Sequence, residues 1–261
     1  MSYRRVFETN NAKISLYITI KCTEKKTFRV FAEDYHKNNS KYADRIIEVN
    51  GERTIFLSFP VIPKQLLVAV YNSRNPSDKD FTIEVSENSL KTYNIWLDQN
   101  TKEFLGLALP FCQSSGFTSA SPQGRLFQTE DKKFTIRYYP IIIDKMTNTP
   151  LSTPARVGHQ TGIIDISKIK YDSYTVPMRV MIMLHEFSHK YLNPKINLEI
   201  DNEVGADINA LYIYLGLGFS KIDAICVYAN IFLKAQTRSN MNRMRKINEY
   251  IRRFENNEYA K

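Results

Sequence analysis

The sequence predicts a mixed α+β protein with an all-β sandwich over residues 1–97 followed by a compact α+β domain over residues 98–261. Three observations support this. In the first part, apolar and polar residues alternate with the period of a strand. In the second part, stretches with helix start and stop signals flank short apolar strands. Finally, the apolar run Met181–His189 contains two of the four histidines of the chain, with Glu186 between them.

The N-terminal part is predicted to consist of seven short strands. Ile14 to Cys22 alternates strictly, and Asn50-Gly51 between two apolar segments is typical of a hairpin with a primed turn. Seven strands with turn signals between them favour an immunoglobulin-like sandwich, although no Cys…Trp…Cys pattern accompanies them. The predicted strands are Ile14–Cys22, Phe28–Ala32, Ile46–Val49, Thr54–Phe59, Leu66–Tyr71, Phe81–Val85 and Tyr93–Leu97.

The C-terminal part is predicted to have a small sheet and several helices. Thr101 caps a first helix, and Phe134–Ile143 and Val157–Ile166 are predicted strands. Ser220 starts a later helix, and Ser239 starts a last one with an apolar stripe. We interpret the basic residues of this region, Arg238, Arg243, Arg245, Lys246, Arg252 and Arg253, as a solvated helix face.

The central predicted helix contains His185-Glu186-x-x-His189. Thr175 is a suitable N-cap, Pro177 suits the first turn, and Asn193-Pro194 is expected to end the helix. Residues four apart share a helix face, so both imidazoles can reach one metal ion, with the glutamate on the adjacent flank. The alternative is two ordinary histidines, one in the core and one on the surface.

A second helix is predicted from a cap at Asp201 or Asn202 to Gly216. Glu203 and Asp207 lie four apart on it. Glu203 could complete the His2Glu set of an open zinc site, and Asp207 could accept the far N–H of a ligand histidine. The alternative is a glutamate favoured by the helix dipole and an aspartate that is a solvated surface charge.

These two motifs together resemble the gluzincin class of zinc metallopeptidases. The resemblance covers about the stretch from Gln160 to Gly218, and Ser188 stands where many members have glycine. No third histidine follows at metzincin spacing, whereas an aspzincin-like arrangement with Asp207 as ligand stays open. The resemblance implies zinc ligands His185, His189 and Glu203, general base Glu186, and Asp207 supporting a ligand histidine.

The resemblance also implies the reaction, hydrolysis of a peptide bond by a metal-activated water with Glu186 as the base. The expected partner is a protein or peptide substrate. A donor to the transition state is expected from Tyr214 or His159, with Tyr191 and Tyr174 as further candidates. The strand at Val157–Ile166 either receives an extended substrate along its edge or is plain sheet.

The composition of the chain limits the expected cellular location and partners. Three scattered cysteines argue against a disulfide framework, and no stretch is long and apolar enough to be a signal segment or membrane span. We therefore expect a cytoplasmic protein without a membrane partner. The net charge of +9 could suit an acidic surface, but no nucleic-acid motif accompanies it, and we expect no nucleic-acid partner.

A second hypothesis is a structural or assembly protein that keeps a metallopeptidase fold, with or without zinc. A β-sandwich joined to a protease-like domain, in a chain rich in Lys, Asn, Ile and Tyr, is similar in style to tailed-bacteriophage (crAss-like) virion proteins such as ring or connector components. A virion location and an assembly partner on the β-domain would follow. A regulatory protease with one intracellular substrate is a third option.

Overall fold

The computed structural model describes residues 3–10, 12–75, 77–144, 146–196 and 202–258, with the side chain of Asn202 left out. It is a mixed α+β structure with two compact units, residues 1–92 and 93–261. The division falls five residues before the predicted boundary. The predicted strand Tyr93–Leu97 is wrong, because the segment has no ladder and contains a tight turn in which the Ile95 N–H donates to the Tyr93 carbonyl at 2.9 Å. The segment belongs to the second unit, where the Trp96 N–H donates to the hydroxyl of Tyr212 at 2.9 Å.

Unit 1 is an antiparallel sheet of five described strands. They are β1 (Tyr3–Glu8), β2 (Ile14–Asp34), β3 (Lys41–Phe59), β4 (Gln65–Asn72) and β5 (Phe81–Ser89). The order is β1-β4-β2-β3, with β5 also paired to β2. β2 pairs with β5 along residues 14–22 and with β4 along residues 28–34, while β3 follows both halves.

The predicted hairpin at Asn50-Gly51 is wrong, because β3 continues through both residues as one strand. Three residues of β2 between Cys22 and Lys26 lie opposite the single residue Asn50, and Gly51 takes a positive φ of 81°. Asn50 therefore forms the short side of a β-bulge, and Gly51 beside it pairs with Cys22. The excess of two residues preserves the alternation of β2, so Ile20 and Phe28 both remain on its buried face.

β3 bends back on itself. A strand of 19 residues would span about 60 Å if straight, yet the rings of Tyr42 and Phe59, near its opposite ends, are 6.4 Å apart. The bulge supplies the bend, since bulges increase local twist. The apolar faces of the two halves are thereby buried without a helix among the described residues of this unit.

Unit 2 has a four-stranded sheet and six helices in its described part. The strands β6 (Arg125–Gln128), β7 (Thr135–Tyr139), β8 (Ala155–Val157) and β9 (Ile164–Ser167) are ordered β6-β7-β9-β8. β7 and β9 are parallel, and the other pairs are antiparallel. β8 lies at the edge of the sheet and pairs only with β9 among the described strands. The predicted single strand Val157–Ile166 instead comprises the end of β8, a turn and the start of β9.

The helices of unit 2 are α1 (Gln99–Ser114), α2 (Lys168–Tyr171), α3 (Val176–Ser188), α4 (Asn202–Gly216), α5 (Lys221–Val227) and α6 (Arg238–Glu255). A π-helical turn, Tyr228–Phe232, follows α5 directly. α3 packs against α1, α4, α5 and β8, and α6 packs against α4. No helix in the described part of the chain is long and apolar enough to cross a membrane.

Candidate metal centre

α3 carries the two histidines. Thr175 accepts from the Met178 N–H at 3.5 Å, and a proline occupies the first turn, as the sequence predicts. The helix ends at Ser188, five residues before the predicted stop. His189 nevertheless keeps helical backbone angles, φ −63° and ψ −21°. It therefore stays one turn beyond His185 on the same face.

The end of α3 is held by Asn209 of α4, which sequence analysis missed. Its side-chain oxygen accepts from the Asn193 N–H at 3.0 Å. Its amide donates to Ser188 Oγ at 2.8 Å and to the Tyr191 carbonyl at 3.1 Å. Asn209 is fully buried in the apolar part of α4. A single amide among apolar residues needs hydrogen-bond partners when it is buried, and this feature of the sequence could have identified it.

Three potential ligand atoms converge where α3 meets α4. His185 Nε2 and His189 Nε2 are 3.2 Å apart, and the Glu203 carboxylate oxygens lie 3.8 Å and 3.7 Å from them. Two nitrogens bound to one tetrahedral zinc ion would be about 3.3 Å apart. Among the described residues, these three form the one group of acidic, histidine or cysteine side chains arranged to hold a metal ion. The donor set fits.

Glu203 lies in the first turn of α4, and its side chain is 49% exposed. The two histidines beside it are mostly buried. The side of the cluster at Glu203 is therefore accessible from solvent. The predicted cap at Asp201 and the side chain of Asn202 lie outside the described residues.

Asp207 lies one turn beyond Glu203 and is 1% exposed. Its Oδ1 atom is 3.0 Å from His185 Nδ1, on the far side of the ring from the convergence point. Burial of the imidazole would lower the pKa of His185. Asp207 and two neighbouring glutamates outweigh this and hold that pKa above its ordinary value. A carboxylate that accepts from Nδ1–H leaves Nε2 free to bind a metal.

Arg243 of α6 corrects the prediction of a solvated basic face. Its side chain is buried, and it donates to both oxygens of Asp207, from Nε at 2.8 Å and from Nη2 at 3.0 Å. Nη2 is also 3.0 Å from a Glu203 oxygen. The buried residues of α6 are Arg243, Ile247, Tyr250, Ile251 and Phe254. The apolar stripe predicted from the sequence is therefore buried at Ile247, Ile251 and Phe254, but the prediction missed Arg243 and Tyr250.

The π-helical turn places two aromatic residues against the site. The Tyr228 hydroxyl donates to the Asp207 carbonyl at 2.9 Å. The Phe232 ring lies 4.1 Å from the His185 ring. π-Turns occur often at functional sites, and this one packs the back of the cluster with apolar surface.

Glu186 lies beside the histidines and is 7% exposed. Burial and repulsion from Glu203 raise its pKa above the ordinary value, against the opposing effects of His185 and of a hydrogen bond from the Val157 backbone N–H. Glu186 therefore lies beside Val157 of β8, the edge strand. A buried carboxylate with a raised pKa is suited to proton transfer near neutral pH.

The two proposed donors differ in position. His159 is exposed on the turn after β8, and its ring is 6.0 Å from the ring of His189. Tyr214 is fully buried further along α4 and stacks on Phe219 at 4.5 Å. Of the further candidates, Tyr191 stacks on Phe187 at 5.0 Å and Tyr174 is half-buried. The structure thus places His159, rather than Tyr214, near the cluster.

Comparison with known proteins adds no family to these observations. No protein-family model and no curated protein matches the chain. Among solved structures, it is similar to a functionally unknown conserved protein from Bacillus anthracis str. Ames, with 11% identity and a TM-score of 0.23. The match covers 87% of this chain and 58% of that one. A likeness of this degree carries no argument, and the case for function depends on the geometry of the site.

Proposed function

We propose that this chain is a zinc-dependent metallopeptidase whose site is built on α3 and α4. One observation carries the proposal: two imidazole nitrogens 3.2 Å apart meet a carboxylate, with Glu186 buried beside them. Two histidines and one carboxylate are the protein ligands of many open zinc sites. A purely structural ion would need no additional buried glutamate.

Glu203 is the better third ligand than Asp207. The Glu203 oxygens face the Nε2 atoms of both histidines. Asp207 instead meets Nδ1 of His185 and is bound twice by Arg243. This supports the gluzincin-like over the aspzincin-like assignment.

The site residues then divide the chemistry. A zinc ion held by His185, His189 and Glu203 would supply a Lewis acid that activates water and polarises a carbonyl. The Glu186 carboxylate would accept a proton from the attacking water and pass it to the leaving amine. The raised pKa of Glu186 suits this sequence, because the carboxyl group keeps the proton after the attack and can then donate it to the leaving amine. We propose His159 as the donor to developing negative charge on the substrate oxygen, because its ring is 6.0 Å from the His189 ring.

The free edge of β8 supports a peptide as the substrate. β8 pairs only with β9 among the described strands, and Val157 of β8 lies beside Glu186. An extended peptide could add to this edge by backbone hydrogen bonds, which would bring its carbonyl towards Glu186.

The test is cleavage of a peptide library, made from a denatured proteome and read by mass spectrometry. Zinc-loaded wild type should generate new termini. Glu186→Gln should reduce the rate by about 100- to 10,000-fold at unchanged zinc content. Glu249→Gln, at an exposed glutamate of α6, is the matched control and should cleave normally. Equal cleavage by Glu186→Gln would remove it as the base.

An assembly protein is the alternative, with unit 1 as an immunoglobulin-like sandwich that binds a virion or other protein partner. The observation in its favour is an exposed aromatic pair on the outer sheet face, Tyr17 and Phe56, with rings 5.1 Å apart. Zinc-loaded wild type that cleaves nothing, and forms a large ring by size-exclusion chromatography with light scattering, would favour this alternative.

A further inference from the structure

Arg243 stands apart from the other basic residues of α6. Arg245 and Arg252 are exposed, whereas Arg243 is 8% exposed and has its guanidinium directed at α4. A buried guanidinium is costly unless its charge is paired and its donors are used. Arg243 meets both conditions through Asp207 and Glu203. Both of these residues belong to the proposed zinc site.

The contacts of Arg243 tie two carboxylates together. A single atom, Nη2, is 3.0 Å from Asp207 Oδ1 and 3.0 Å from Glu203 Oε2. Nε holds the other Asp207 oxygen at 2.8 Å. A planar guanidinium with two parallel bonds fixes the plane of the carboxylate it binds. The acidic face of α4 is therefore oriented by a residue that comes from the last helix.

This orientation extends to His185. Asp207 Oδ1, the oxygen bound by Nη2, is also 3.0 Å from His185 Nδ1. A carboxylate that a guanidinium fixes this close to Nδ1 favours the proton on Nδ1, and so favours the tautomer with Nε2 unprotonated. That is the nitrogen that faces His189 and Glu203.

We propose that Arg243 is a positioning residue of the metal centre, and that α6 is thereby an integral part of the site. It selects the His185 tautomer through Asp207 and holds Glu203 at ligand distance. The inference deepens the proposed zinc site and rests on it for the effect on metal affinity. Its effect on the tautomer does not require a metal.

The first test uses metal-free protein labelled with 15N-histidine, read by long-range 15N–1H correlation at one alkaline pH at which the His185 imidazole is neutral. With four histidines, His185 is assigned from the signal lost in His185→Ala. Wild type should show the Nδ1–H tautomer at His185. Arg243→Met should show a mixture of tautomers, and Arg243→Lys, which keeps the charge but loses the fork, an intermediate pattern. An unchanged tautomer in a folded Arg243→Met would overturn the proposal.

The second test is zinc affinity by competition with a chromogenic chelator. Arg243→Met should bind zinc about 10- to 100-fold more weakly, the usual cost of losing a residue behind a ligand. Arg243→Lys should lose less, and Arg252→Ala, exposed on the same helix, should match wild type. If Arg243→Met does not fold, Arg243→Lys decides, and wild-type affinity and tautomer in it would contradict the proposal.

The outcomes separate the two proposals. Wild type that takes up no zinc while Arg243→Met changes the His185 tautomer would refute the zinc site and support the positioning role. Wild type that binds zinc, with both readouts unchanged in Arg243→Met, would refute the positioning role and leave the zinc site standing.

Discussion

Two buried aspartates of unit 2 are paired with arginine in different ways. Asp165 of β9 is 3% exposed and accepts from Arg137 at 2.7 Å and Arg156 at 3.1 Å. Those arginines lie directly across from it on β7 and β8, with side chains 38% and 36% exposed. Asp207 is paired with one buried arginine and one buried histidine.

The difference shows what each carboxylate can influence. At Asp165 both partners reach solvent, so the cluster joins three strands and affects little else. At Asp207 every partner is shielded from water, and one of them is a proposed metal ligand. Charge interactions are stronger in such an environment. The Asp207 cluster can therefore control a neighbouring atom, which the Asp165 cluster cannot.

The largest contrast is expected from removing each carboxylate. Asp207→Ala leaves a buried arginine poorly paired and should cost about 3–5 kcal/mol, with zinc binding about 10- to 100-fold weaker. Asp165→Ala should cost about 1–3 kcal/mol, since its arginines can turn to water, and should not change zinc affinity. Urea unfolding, followed by the fluorescence of Trp96, measures the stability of both variants, since Trp96 is the single tryptophan and belongs to unit 2. Competition with a chromogenic chelator measures their zinc affinity. Equal loss of zinc affinity would contradict the distinction.

The stability lost on metal removal should depend on the Asp207 cluster and not on the Asp165 cluster. A site with zinc at 1,000 times its Kd stabilises the folded state by about 4 kcal/mol, which chelation removes. We expect this increment in wild type and in Asp165→Ala, and a smaller one in Asp207→Ala at the same zinc concentration. Thermal unfolding with and without EDTA measures it. The same increment in all three proteins would place the ion elsewhere.

A third contrast is the pH dependence of stability in EDTA. The raised pKa of His185 means that the folded state binds its proton more tightly than the unfolded chain. This stabilisation is complete below the ordinary histidine pKa of about 6.5 and is lost as pH rises through the raised value. Asp165→Asn should keep this loss, and Asp207→Asn should reduce it.

Glu186 also has a raised pKa, which gives a loss in the same direction, so these unfolding curves are best recorded in the Glu186→Gln background. An identical pH dependence in Asp165→Asn and Asp207→Asn would show that Asp207 does not raise the pKa of His185.

The smallest effect is expected at Arg156. Removing this half-exposed arginine leaves Asp165 with the two hydrogen bonds from Arg137, so Arg156→Ala should cost about 0–1 kcal/mol. Zinc affinity should not change. A loss of several kcal/mol in urea unfolding would mean that the strand cluster is as tightly coupled as the one at Asp207.

The sequence could predict those features of the site that depend on residues close together in the chain. The Thr175 cap, the burial of α3 and the spacing of His185 and His189 depend on neighbours in the chain, and each appears in the structure. The mixed α+β class followed from the same kind of local pattern.

Long-range contacts explain what sequence analysis missed. Arg243 is buried because α6 packs on α4, and no local pattern separates it from Arg245. Asn209 of α4 binds Ser188 and the Tyr191 carbonyl at the end of α3, a contact between residues about 20 positions apart in the chain. Asn50-Gly51 suits a tight turn, but the ladder between β2 and β3 continues on both sides and makes it a bulge.

The most direct test of the zinc site is metal content per chain by mass spectrometry, on protein purified without added zinc or a histidine tag, beside Glu203→Ala. The site geometry predicts about one zinc per chain in wild type and far less in the variant. A folded wild type that carries no metal and takes up no zinc on titration would contradict the account.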